Sequence, residues 1–84
     1  MDRQVKLLTR EGCPMCLAAA TRLAELAAEL GFMLQVSDVD VAADAGEPAL
    51  RAEFGDRLPV VLLDGVEHSY WEVDEVRLRA DLAG

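Results

Sequence analysis

Val5-Lys6-Leu7-Leu8-Thr9-Arg10-Glu11-Gly12-Cys13-Pro14-Met15-Cys16 runs from an apolar stretch, through a glycine, into two cysteines separated by two residues. An alanine- and leucine-rich segment follows, so the pair stands at the mouth of a strand-to-helix junction. A helix begun at Cys13 brings Cys16 round by almost one turn, within reach of a disulfide. The first turn also leaves backbone N–H groups without intrahelical partners and carries the positive end of the helix dipole. A thiolate at Cys13 is therefore favoured, and the thiolate is the form that attacks disulfides. Pro14 suits the first helical position, where its missing N–H costs nothing. The stretch reads as redox chemistry.

Two other uses of the pair compete with this one. A structural zinc site wants four ligands, and beyond the two sulfurs the chain offers only His68 and common carboxylates. Buried apolar filler is the other, because free cysteine often sits in cores. Gly12 before the pair and Pro14 within it argue instead for an exposed turn.

Working outward, Val5–Thr9 predicts a buried central strand, and the apolar and small positions Ala19, Ala20, Leu23, Leu26, Ala27 and Leu30 predict a helix. Gly31 supplies its left-handed C-terminal cap. Phe32–Ser37 follows at once as a second strand, which makes a parallel unit with a right-handed crossover. The acidic segment Asp38–Gly46 lacks the ligand order of a calcium loop and reads as a loop leading to a short helix from about Glu47-Pro48 to Phe54. Asp64-Gly65 separates two further strand-like runs, a strong signal for a tight antiparallel hairpin, with Pro59 at the start of its first strand. For the last helix, Asp74 is the cap, Val73 packs on Leu78 as a staple, and Glu75 sits in the first turn. Tyr70 and Trp71 read as strand or core residues. His68 reads as an exposed strand histidine, with nothing beside it to suggest a proton relay.

Composition narrows the function classes. The 84 residues make one domain, residues 1–84, with 52% hydrophobic and 29% charged residues. No apolar segment is long enough to cross a membrane, and the N-terminus lacks the apolar core of a signal peptide, so a cytoplasmic location is expected. There a Cys-x-x-Cys is catalytic or metal-binding more often than structural. The net charge of −8 and pI near 4.4 discourage nucleic acid and anionic membranes as partners. Anionic thiols such as glutathione meet the same long-range repulsion, which local positive charge must overcome. Arg10 and Arg57 are the candidates, and a solvated loop arginine explains Arg57 equally well.

With the element order strand, helix, strand, helix, strand, strand, helix in place, nearly the whole chain resembles a glutaredoxin of the thioredoxin superfamily. The resemblance rests on Thr9 to Cys16 after the first strand and on Leu58-Pro59 opening the third. The Asp38-Val39-Asp40 segment and the Arg57-Leu58-Pro59-Val60 to Asp64-Gly65 hairpin narrow it to short bacterial glutaredoxin-like proteins of poorly defined function. It implies an α/β, thioredoxin-like fold: a four-stranded mixed sheet with three helices and strand order 2-1-3-4. It also implies a thiol–disulfide oxidoreductase with Cys13 as nucleophile, Cys16 as resolving cysteine and a redox-active disulfide closing between them. Pro59 is implied to be cis and to face the cysteines, with Leu58 offering its backbone to an extended substrate beside Cys13.

The chain departs from glutathione-using glutaredoxins at three places, where it has Arg57-Leu58-Pro59, Met15, and Ser69-Tyr70-Trp71-Glu72-Val73-Asp74. Only Arg10 keeps the basic position before the cysteine motif. The expected partner is thus a disulfide-containing protein or small thiol. No tightly bound cofactor or metal is expected, glutathione or another thiol reductant recycles the dithiol, and the chain is expected to be a monomer. A metal or iron–sulfur carrier on the same scaffold is the alternative, although Pro14 counts against the cluster version, and a non-catalytic binding module stands third.

Overall fold

The structure is a computed structural model, and it describes residues 3–83. The elements run β1 (Gln4–Thr9), α1 (Pro14–Leu30), β2 (Met33–Asp38), α2 (Val39–Asp44), α3 (Ala49–Phe54), β3 (Val60–Leu63), β4 (Val66–Tyr70) and α4 (Glu75–Ala83). The four strands form one sheet in the order β2-β1-β3-β4. β1 pairs with β2 in parallel and with β3 antiparallel, and β3 pairs antiparallel with β4. The two inner strands are the most apolar, and β2 forms one edge, with Met33 and Val36 exposed.

Side chains alternate across the sheet and divide the core in two. Val5, Leu7 and Val61 meet Ala19, Leu23 and Leu26 of α1 and Leu78 of α4 on one face. Leu8, Val60 and Leu62 meet Val39 of α2 and Phe54 of α3 on the other. Both faces of β1 and β3 are thus covered, as a run such as Val60-Val61-Leu62 requires.

The predicted punctuation is in place. Gly31 caps α1 at φ 79°, its N–H donating to the Ala27 carbonyl at 2.9 Å. Asp64 and Gly65, at φ 49° and 86°, make the hairpin turn. Asp74 accepts the Arg77 N–H at 3.1 Å at the start of α4, and Val73 packs on the cluster that contains Leu78. The Leu58–Pro59 peptide is cis.

Three expectations need correction. Among the described residues there are four helices rather than three, because Val39–Asp44 is helical instead of loop. Asp38 caps it by accepting the N–H groups of Asp40 at 2.8 Å and Val41 at 3.1 Å, and Val39 is wholly buried beneath it. His68 is buried, at 8% exposure, rather than exposed. The β3–β4 register slips between Val61 and Leu62, so that Val61 faces Ser69 while Leu62 faces Glu67. His68 is the extra residue of this bulge and is turned inward, where its Nε2 lies 2.7 Å from Asp81 Oδ2 of α4. Finally, Tyr70 is a strand residue, the last of β4, as expected, whereas Trp71 follows the strand and lies outside the core. They are half exposed and packed edge to face, with ring centroids 5.0 Å apart.

Candidate functional site

Cys13 is the N-cap of α1, a position usually held by an oxygen-bearing side chain. Its Sγ accepts the Cys16 N–H at 3.1 Å, and its carbonyl accepts the Leu17 N–H at 3.2 Å. Both cysteines are free thiols. Cys16, one turn on, faces the core and is only 3% exposed, whereas Cys13 is half-buried at the surface. Burial, reinforced by a hydrogen bond to Cys13, pushes the Cys16 thiol up from 9.0 to about 11, with the Arg10 backbone N–H opposing the shift. Cys16 is thus the buried thiol, and the accessible sulfur is Cys13.

A mainly apolar cleft of about 460 Å³ opens at the pair, lined by residues that include Arg10, Gly12, Cys13, Cys16, Leu17 and Val36. The structure thus gathers Cys13, Cys16 and Arg10 at one cleft, while Leu58 and Pro59 stand outside its lining. Leu58 packs against the second core cluster, and Pro59 is wholly buried. The Pro59 carbonyl accepts the Trp71 N–H at 2.7 Å. Among the described residues, no backbone hydrogen bond is found for Leu58.

The two arginines considered for anion binding are already engaged. Arg10 Nε donates to Asp40 Oδ2 at 2.9 Å, and a second nitrogen donates to the Gly55 carbonyl at 3.4 Å. The carboxylate raises the Arg10 pKa and the guanidinium lowers that of Asp40. Arg57 forks onto Glu67 at 3.1 and 3.0 Å, touches Asp56, and lies 5.1 Å over the Phe54 ring. Arg57 is thus an ion-paired arginine packed over Phe54 rather than a solvated loop arginine. The other arginines, Arg3, Arg22, Arg51, Arg77 and Arg79, also pair with carboxylates. Glu11 and Glu72 have no cationic partner among the described residues.

Trp71 escaped the reading of the sequence as a surface feature. At φ 67° it holds a left-handed conformation that costs a bulky residue roughly 1–3 kcal/mol. With Met15, Ala18, Arg22, Glu72 and Val73 it lines a second cleft, of about 290 Å³, on the α4 side of α1. Among the described residues, no three His, Cys, Asp or Glu side chains group as a metal site, and no helix is long and apolar enough to cross a membrane.

A 2-1-3-4 sheet between two helical layers, with a dithiol at the N-terminus of the first helix, defines a thioredoxin-like scaffold of redox type. The glutaredoxin-like domain model (DUF836) matches residues 4–83, and the chain belongs to that family. It is 71% identical over 80 residues to the uncharacterized protein Rv0508 of Mycobacterium tuberculosis, covering 95% of this chain and 82% of that one. Among solved structures, protein Ne2328 of Nitrosomonas europaea aligns with a TM-score of 0.79 at 25% identity, over 96% of this chain and 92% of that one. Fasciola hepatica thioredoxin aligns with a TM-score of 0.61 at 22% identity, over 98% and 79%, and shows the shared fold.

Proposed function

We propose that the protein is a thiol–disulfide oxidoreductase working through Cys13 and Cys16. The Cys13 thiolate attacks one sulfur of a substrate disulfide, forming a mixed disulfide and expelling the other sulfur as a thiolate. Cys16 then loses its proton to solvent and attacks Cys13 Sγ, releasing the second substrate thiolate and leaving a Cys13–Cys16 disulfide. Two electrons pass from the dithiol to the substrate. The asymmetry of the pair carries this reading: an accessible capping sulfur takes the Cys16 N–H at 3.1 Å, beside a buried thiol that retains its proton.

The recycling reductant is a dithiol or a protein rather than glutathione. Arg10, the basic side chain in the cleft, is held by Asp40, and no unpaired arginine stands by to receive a carboxylate. The Leu58 backbone is the edge along which an extended substrate pairs, with Pro59 fixing its place. No tightly bound cofactor takes part, and the protein acts in the cytoplasm as a monomer.

Bis(2-hydroxyethyl) disulfide is a suitable probe. By mass spectrometry, Cys16→Ser should accumulate one mixed disulfide at Cys13, Cys13→Ser should form none, and the unaltered protein should finish as the intramolecular disulfide. An adduct on Cys16 in Cys13→Ser at a comparable rate overturns the assignment of roles. Efficient reduction of a glutathione mixed disulfide by Cys16→Ser overturns the choice of reductant.

A further inference from the structure

We propose that the Met15–Trp71 cleft is a docking site for disulfide-bonded polypeptides that carry an apolar side chain and a basic residue next to the reacting cysteine. The proposal rests on the exchange reading above and names its substrate class. Met15 and Trp71, at 53% and 55% exposure, expose large apolar surfaces to water within the cleft. Trp71 is fixed there in a left-handed conformation by its bond to the Pro59 carbonyl. The cleft's one lining cation, Arg22, is spent on Glu75 and Glu25, which leaves Glu72 on the wall with no cationic partner among the described residues. Glu11, in the lining of the Cys13 cleft on the other flank of α1, likewise has no cationic partner among the described residues.

A ligand that touches both Cys13 and the Trp71 wall lies across the first turn of α1, where an extended peptide can follow the surface from one cleft to the other. Both flanks present apolar surface rimmed by uncompensated carboxylate, and the complement of that surface is apolar and cationic. Tryptophan is among the side chains on which interface energy concentrates, and methionine is enriched at interfaces.

The chain has a single tryptophan, so Trp71 emission reports the cleft directly. Three cyclic octapeptide disulfides serve as probes: one with leucine and lysine flanking a cysteine, one with serine for the leucine, and one with glutamate for the lysine. Binding without chemistry is read from Trp71 emission in the Cys13→Ser, Cys16→Ser double variant. Chemistry is read as single-turnover loss of free thiol in the unaltered protein. The leucine–lysine peptide should bind, and react, at least tenfold better than either relative. Trp71→Ala should bring the leucine-to-serine reaction ratio to within twofold of unity, and Glu72→Lys should cut the lysine-to-glutamate ratio to a third or less. Equal binding of the three peptides, or ratios that survive both substitutions, overturns the docking site even where thiol is consumed. Ranked binding with no consumption of thiol by any peptide overturns the exchange reading and leaves the ligand preference of the cleft standing.

Discussion

Alkylation of the two cysteines should differ far more than their separation by two residues suggests. Iodoacetamide reacts with thiolates, and the Cys16 thiol is pushed from 9.0 to about 11. At any pH well below 9, that shift reduces its ionised fraction roughly a hundredfold relative to an unshifted thiol, because each unit is a factor of about ten. Its 3% exposure slows the reagent further. The suitable comparison is Cys16 with itself: labelling in native buffer at pH 7 should be at least about 100-fold slower than in concentrated guanidinium chloride, with Cys13 labelled first in the native protein. Limited labelling followed by peptide mass mapping gives both rates. Burial is the larger cause of the shift, so Cys13→Ala should keep most of the protection although the sulfur partner is gone. Native labelling of Cys16 within tenfold of its denatured rate, or ahead of Cys13, would refute the reasoning.

Three further outcomes follow from the packing and the charges. Arg22, aided by Arg79, holds the Glu75 carboxyl down from 4.5 to about 2, so the fold favours its ionised form; the resulting stability is present above pH 4.5 and is lost as pH falls toward 2. Glu75→Gln should therefore flatten the fall of the urea midpoint across that window, and an unchanged slope would count against the ion pair. Leu23 is wholly buried between α1 and the sheet, so Leu23→Ala should cost about 2–5 kcal/mol in urea unfolding, and a loss below about 1 kcal/mol would mean that the core is misassigned. Gly65 sits at φ 86° with open space where a Cβ would stand, so Gly65→Ala should cost about 1–2 kcal/mol from backbone conformation alone, as chemical denaturation would show.

Local signals were legible in the chain and long-range ones were not. α1 announces itself through the period of Ala19, Leu23 and Leu26 and stops at Gly31, and Asp64-Gly65 and Asp74 mark the hairpin and α4 by chemistry confined to a few residues. α2 hides because six residues, mostly small or acidic, are too few to display a helical period, although Asp38 is a cap in plain view. His68 was misplaced because a bulge adds one residue and reverses the alternation on which facing is judged. At the site, Cys13, Pro14 and Cys16 were readable as a helix mouth. The binding of Arg10 by Asp40, thirty residues away, depends on how α2 lies beside β1. Trp71 looked like core because an aromatic at a strand end usually is, and only the turn after β4 exposes it.

β2 forms an edge of the sheet, and its sequence Met33-Leu34-Gln35-Val36-Ser37-Asp38 carries one charge, at its last residue. Exposed Met33 and Val36 next to open backbone groups make a template for strand addition by another copy, and the edge has no lysine, proline or bulge to discourage it. The collective repulsion of a net charge of −8 opposes such association. That restraint weakens as the solution is acidified toward the isoelectric point near 4.4 that the composition gives. Colloidal stability is thus borrowed from the surplus of carboxylates, and acidification toward that pH should bring on edge-to-edge association, read as a rise in light scattering.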